Sequence, residues 1–249
     1  MNTLRGTAND DRFWKELCIG VLASEALPPA CLAQPDSWLT GRERAELAKC
    51  QASTRRGEWL AGRYCAKGLL LSRGGAWRDW EVLSRRPNGL GQPPQVLRNG
   101  QRVGGCLTLS HSASLSVAAF LTLPEESVGV DVVDYEPTSS GFESMWFSHS
   151  EIVEMNRSGI TPLEGWAVKE AAFKAARDGQ SFRPRRMTLS HLTDACYRVD
   201  WSSGQTERDK AVEVRIVRTS RASIAFARCY SLARHHTFSQ SPAMAKCLG

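Results

Sequence analysis

Hydrophobic positions along this chain fall into short runs separated by polar punctuation, and their period changes from one segment to the next. From Arg42 to Leu71 the spacing is helical and reads as two helices, with a break near Gln51–Thr54. Trp80–Ser84 reads as a strand, and the Arg-, Pro- and Gly-rich stretch from Arg85 to Pro94 as a loop. Cys106–Ser110 and Leu115–Leu123 are apolar, β-prone runs flanking a turn at His111–Ser114, and Val128–Val133 is a further short buried strand. Strand-like runs return at Arg186–Leu192, Cys196–Trp201, Ala211–Arg218 and Ala222–Tyr230, and a polar, loose tail is expected beyond about residue 235.

Two helix starts carry explicit signals. Ser148 precedes Glu151 by three residues, and Thr161 precedes Glu164 by three with Pro162 at the first helical position. The second helix is expected to run from Pro162 to about Asp178 and to stop at Gly179. Trp59, Lys67 and Ser116–Val117–Ala118 recur as Trp166, Lys174 and Ser223–Ile224–Ala225, each 107 positions later. A constant offset between distant segments points to a duplicated unit. The expected fold is therefore α+β, a tandem pseudo-dimer of two similar α/β halves (residues 1–125 and 126–249), with the active site in the cleft between them.

The longest apolar run, Leu115 to Leu123, contains Ser116 and Thr122 and falls far short of the roughly 20 residues a membrane span needs. The run Cys18–Ala23 is too short, and too close to Asp10, Asp11 and Glu16, for a secretory signal, so a cytoplasmic protein is expected. Eight cysteines show neither CxxC pairs nor zinc-like spacing with histidine, and read as small buried hydrophobes. The net charge of +6 suits an anionic partner. A nucleic-acid binder is the weaker choice, because no zinc finger, helix-turn-helix or aromatic-basic RNA motif accompanies clusters such as Arg183–Arg186.

Three segments carry candidate chemistry. Gly129–Val130–Asp131 puts a carboxylate at the end of a buried strand, where it would line a pocket or cap the next element. On the helix Trp166–Ala175, Trp166, Glu170, Phe173 and Lys174 share one face. Glu170 and Lys174 would be a metal ligand and a proton-transfer group, or an exposed ion pair worth about 0.3–0.5 kcal/mol. Ser110–His111–Ser112 in a tight turn would hold a phosphate, or make structural hydrogen bonds.

Together these segments resemble the Sfp-type 4′-phosphopantetheinyl transferases. That family shows a Ser-His element, then G-[IV]-D-x-E after a strand, then W-x-x-K-E-[AS]-x-x-K-A on a helix. Here they stand as Ser110–His111, Gly129–Val130–Asp131, and Trp166, Lys169, Glu170, Ala171, Lys174 and Ala175. Glu58–Trp59–Leu60–Ala61–Gly62–Arg63 is similar to the family's first-half helix, and Gly91–Gln92–Pro93 to its Gly-Lys-Pro loop, so the resemblance spans about residues 40 to 180.

The resemblance implies transfer of the phosphopantetheine arm of coenzyme A to a serine of an acyl or peptidyl carrier protein, releasing 3′,5′-ADP. It implies Mg²⁺ (or Mn²⁺) held by Asp131 and Glu170, catalysis by Glu170 and Lys174, and coenzyme A contacts from Arg44, Arg56, Arg86, Gln92, Ser110, His111 and Lys174. The carrier would be acidic and would dock near Arg177, Arg183, Arg185 and Arg186; the protein would act as a monomer, with neither nucleic acid nor membrane as partner. Two departures stand out. Val133 replaces the family's second acid, and Gln92 replaces the loop lysine. The first leaves an alternative, a non-catalytic coenzyme A or carrier-binding relative.

Overall fold

The structure is a computed structural model and describes residues 2–3, 13, 16–85, 91–176, 181–193, 195–201 and 210–232. The expected helix end at Asp178–Gly179, Arg86, Arg177 and the tail beyond residue 235 lie outside the described residues.

The fold is α+β, with three antiparallel sheets. β1 (Asn2–Thr3), β2 (Cys18–Ala23), β6 (Cys106–His111) and β7 (Leu115–Leu121) form a four-stranded sheet in the order β1-β2-β7-β6. β3 (Trp80–Arg85), β4 (Gly91–Arg98) and β5 (Gln101–Arg102) form a small second sheet. β8 (Ser127–Asp134), β9 (Met187–Thr193), β10 (Cys196–Trp201), β11 (Lys210–Arg218) and β12 (Ala222–Ser231) form the third, in the order β8-β12-β11-β10-β9. The helices are α1 (Pro29–Ala33), α2 (Gly41–Leu47), α3 (Ser53–Leu71), α4 (Phe142–Trp146), α5 (His149–Ser158) and α6 (Pro162–Ala176). Among the described residues, no helix is long and apolar enough to cross a membrane.

The central strands are buried on both faces, which explains their near-continuous apolar sequences. Ala118 and Phe120 of β7 join the core under α3, while Val117, Ala119 and Leu121 meet Val128, Val130 and Val132 of β8 and Ile224 and Phe226 of β12. Ala225 and Ala227, on the opposite face of β12, pack under α6. The order of layers is thus helix, sheet, sheet, helix. Where β8 passes β6, side chains replace a ladder: the Val128 and Val130 amides donate to Cys106 Sγ and Thr108 Oγ1, both at 3.2 Å.

One polar lattice is built twice. Thr40 and Ser148 cap α2 and α5 through reciprocal bonds with Glu43 and Glu151. Glu43 takes a bond from Lys67 Nζ at 2.8 Å and from the Val82 amide at 3.0 Å. Glu151 pairs with Lys169 Nζ at 2.8 Å and takes the Leu189 amide at 3.0 Å. Both lysines also donate to a backbone carbonyl, of Trp38 at 2.8 Å and of Trp146 at 3.3 Å. The partners of Lys67 therefore reappear on Lys169. This differs from the pairing of Lys67 with Lys174 read from the 107-residue spacing, an offset that the β6–β7 and β11–β12 hairpins keep.

Four strands, β1, β2, β4 and β5, escape the sequence reading. β2 occupies the run weighed only as a leader, and β4 includes the Gly91–Pro94 stretch read as loop. Pro93 and Pro94 have no amide to donate, and the β3–β4 pairing skips them. Indeed the β3–β4 register shifts between Leu83 and Arg85, and among the described residues no ladder joins β4 to β6.

Gly129 lets α6 approach β8. A Cβ there would lie 1.9 Å from the Ala171 carbonyl oxygen and 2.6 Å from the Ala175 amide nitrogen. Gly129→Ala is expected to destabilise the fold by about 1–3 kcal/mol through overpacking. Gly104→Ala, where a Cβ meets nothing within 4 Å, should leave stability unchanged; urea denaturation of both variants checks this.

Glu164 caps α6 through Thr161 and receives Arg218 at 2.7 Å and Ser223 Oγ at 2.7 Å. Burial pushes its proton affinity up, but Arg218, Ser223 and the Thr161 amide outweigh it and hold the carboxyl below its usual range. A depressed carboxyl stabilises above the unfolded value and loses that contribution as pH falls through the folded one. The stability gap between the parent and Glu164→Gln, measured by thermal unfolding across pH, should therefore narrow on acidification.

Candidate active site

A cavity of about 470 Å³ opens where β4 fails to pair with β6, a volume suited to a small-molecule ligand. One face of α3 supplies Arg55, Glu58, Trp59, Gly62 and Arg63, β4 supplies Gln92 to Pro94, and β6 supplies Ser110 and His111. Phe173 and Lys174 of α6 close the far wall, so the cavity lies between elements from the two ends of the sequence.

Lys174 gathers the wall into one cluster. Its ammonium lies 2.8 Å from Asp131 Oδ1 and 3.1 Å from Glu170 Oε1, and donates to the Val130 carbonyl at 3.1 Å. Ser110 Oγ donates to the same Asp131 oxygen at 2.7 Å. The other oxygen of Glu170 is held by Trp166 Nε1 at 3.1 Å. The Trp166 ring is in turn wedged among Phe142, Trp146 and Phe182. Side chains 131, 170 and 174 thus converge because Gly129 seats α6 on β8.

The cluster holds one more carboxylate than ammonium. Burial raises the proton affinity of Asp131; Lys174 opposes this, and the second carboxylate of Glu170 adds to it. For Lys174, burial favours the neutral amine, yet Asp131 and Glu170 together outweigh it and raise its pKa above the usual lysine value. In this arrangement Lys174 is held as a cation between the two carboxylates. Asp131 and Glu170 are the carboxylates through which a hard cation would be held. Among the described residues no group of three or more His, Cys, Asp or Glu side chains is arranged for a metal, so such a cation would complete its shell with substrate oxygens and water, as Mg²⁺ commonly does.

Of the residues singled out in the sequence, Gln92, Ser110, His111 and Lys174 line the cavity, and Asp131 and Glu170 contact Lys174. Gln92 donates to the Arg85 carbonyl at 3.4 Å. Arg44 is not brought to the cavity: it sits on α2, paired with Asp36 at 3.3 Å. Arg56 lies beside the lining face of α3 and does not contribute to it. Arg86 falls outside the described residues. Val133 packs among the apolar residues around α6 and offers no ligand. Asp134, on the other face of β8, accepts from Ser112 Oγ at 2.7 Å, the Ser114 amide at 3.2 Å and Ser114 Oγ, and so pins the β6–β7 turn.

The sequence reading passed over Arg55, Glu58, Trp59 and Arg63 as lining residues. Their spacing of three, one, three and one around Gly62 is a helix face, so the Leu-Ala-Gly-Arg motif extended by helical periodicity would have found them. Arg63 is buried, donating to Glu46 at 3.0 Å and to Ser84, with its guanidinium 4.5 Å above the Trp59 ring.

If Glu170 supplies the charge excess, Glu170→Gln should lower the pKa of Asp131 and also weaken the hold of Lys174 on its proton. Carboxyl-carbon NMR shifts followed through a pH titration read the first effect; an unchanged Asp131 titration would show that burial alone sets it.

Neither a scan of the chain against protein-family models nor a search of curated proteins finds a match.

Proposed function

We propose that this protein transfers the 4′-phosphopantetheine arm of coenzyme A to a serine of an apo acyl or peptidyl carrier protein. The observation that carries this reading is the meeting of Asp131 and Glu170 on Lys174 at the wall of a cavity that also presents Ser110 and His111. Those residues belong to three separated motifs, and the resemblance gives them one purpose. The lattice repeated around Lys67 and Lys169 and the like strand orders β2-β7-β6 and β8-β12-β11 support a tandem pseudo-dimer with its site in the cleft.

In the reaction, the carrier serine oxygen bonds to the β-phosphorus of coenzyme A. The bond from that phosphorus to the bridging oxygen breaks, and 3′,5′-ADP departs. Asp131 and Glu170 would hold Mg²⁺, which when bound neutralises charge on the diphosphate. The pair fits a hard cation, because its oxygens face one cluster with excess negative charge. Lys174 enters as an ammonium that donates to phosphate oxygens, in keeping with its raised pKa. The serine proton then passes to a carboxylate, for which partly exposed Glu170 is better placed than buried Asp131. Arg183, Arg185 and Arg186, exposed beyond α6, suit an acidic carrier.

A second reading, a binding relative without transfer activity, draws on Val133, which leaves the acid set one short. The two separate cleanly. With Mg²⁺, coenzyme A and a panel of apo carriers, the transferase should raise the intact mass of at least one carrier, and Lys174→Ala and Glu170→Ala should abolish that gain. Calorimetry showing coenzyme A binding without transfer to any carrier would favour the binding relative.

A further inference from the structure

We propose that Glu58 is a resident counter-anion of the cavity rim, which an incoming phosphate must displace from Arg55 and His111. The proposal deepens the coenzyme A reading and rests on it for the identity of the ligand. Its basis is a closed triangle spanning α3 and β6. Glu58 Oε2 lies 3.1 Å from His111 Nε2 and 3.4 Å from Arg55 Nη1, and those two nitrogens are 3.3 Å apart. Arg55, and His111 when its Nε2 carries the proton, thus meet from different elements at a single carboxylate oxygen, which stands where an oxygen of an anionic ligand would stand.

The charge balance of the cavity gives this triangle its consequence. Each cation among the described lining residues is already matched by a carboxylate: Arg63 by Glu46 at 3.0 Å, Lys174 by Asp131 and Glu170, and Arg55 by Glu58. A polyanion entering this space meets paired cations, so it must take the place of a protein carboxylate. Glu46 is buried and fixed by the Ser84 and Arg85 amides, Asp131 is buried, and Glu170 is tied by Trp166 as well as Lys174. Glu58, a third exposed and held among the described residues by the two rim donors, costs least to move.

A site that must first release its own anion binds more weakly by the fraction of time it is free. Glu58 would thereby keep the rim donors aligned between turnovers, weaken retention of the phosphorylated product, and favour a dianionic phosphomonoester, which offers more charge than the carboxylate it replaces. A neutral glutamine keeps the shape and removes the competitor.

The test is calorimetric titration of parent, Glu58→Gln and Glu58→Asp with coenzyme A, dephospho-coenzyme A and inorganic phosphate, after thermal melts establish that all three fold. Inorganic phosphate is also followed by the imidazole NMR signals of His111. Glu58→Gln should bind phosphate and coenzyme A about tenfold more tightly than the parent. Dephospho-coenzyme A should gain little, and Glu58→Asp, which keeps the charge, should stay near the parent. Equal or weaker binding of both phosphate and coenzyme A by Glu58→Gln would overturn the proposal and leave the transferase reading to the carrier assay. Tighter phosphate binding, with a His111 response, in a protein that binds no coenzyme A would uphold the counter-anion and sink the coenzyme A reading.

Discussion

The close seating of α6 on β8 is the constraint on which the rest of the molecule depends. At Gly129 the two backbones approach to a distance that no Cβ could occupy, and the alanines of α6 leave its facing surface thin. That contact sets the depth at which Lys174 meets Asp131, two residues farther along the strand. Were α6 lifted by the width of one methyl group, the ammonium would lose the buried carboxylate, and the cluster would reduce to an ordinary Glu170–Lys174 pair of small worth.

The two lysines of α6 have different physical tasks. Lys169 is fully buried, tied to Glu151 and to the Trp146 and Pro184 carbonyls, and its counterpart Lys67 is tied in the same way. Removing one partner of such a pair leaves a buried charge, a loss of about 3–5 kcal/mol. These are structural cations. Lys174 is a quarter exposed, faces the cavity and has two carboxylates instead of one. A helix carrying both a fully buried cation and one that faces the cavity couples the shape of that cavity to the packing of the helix.

The cavity itself lies where strands of two different sheets come together. Among the described residues no ladder joins β4 to β6, and the cavity beside them is lined by Gln92, Pro93 and Pro94 on one strand and Ser110 and His111 on the other. The prolines remove the donors a ladder would need. A cavity thus lies beside this irregular strand, and the cations among its described lining residues are balanced by carboxylates.

Much of this was legible in the sequence. The α+β class, the capped starts of α5 and α6, most strands, and the helix face joining Trp166, Glu170 and Lys174 followed from periodicity and capping, because these are local properties of the backbone. The association of residue 131 with 170 and 174 was legible only through the motif they share, since no local rule links a strand end to a helix forty residues later. What tertiary structure alone decided was register and access. It gave the partners of Lys67 to Lys169, kept Arg44 with Asp36 and away from the cavity, and brought Arg55, Glu58 and His111 into one triangle. The reason is physical: sequence spacing fixes which side chains share a face, but which faces meet, and how deeply, depends on packing between segments distant in the chain, here on a single glycine that lets two backbones touch.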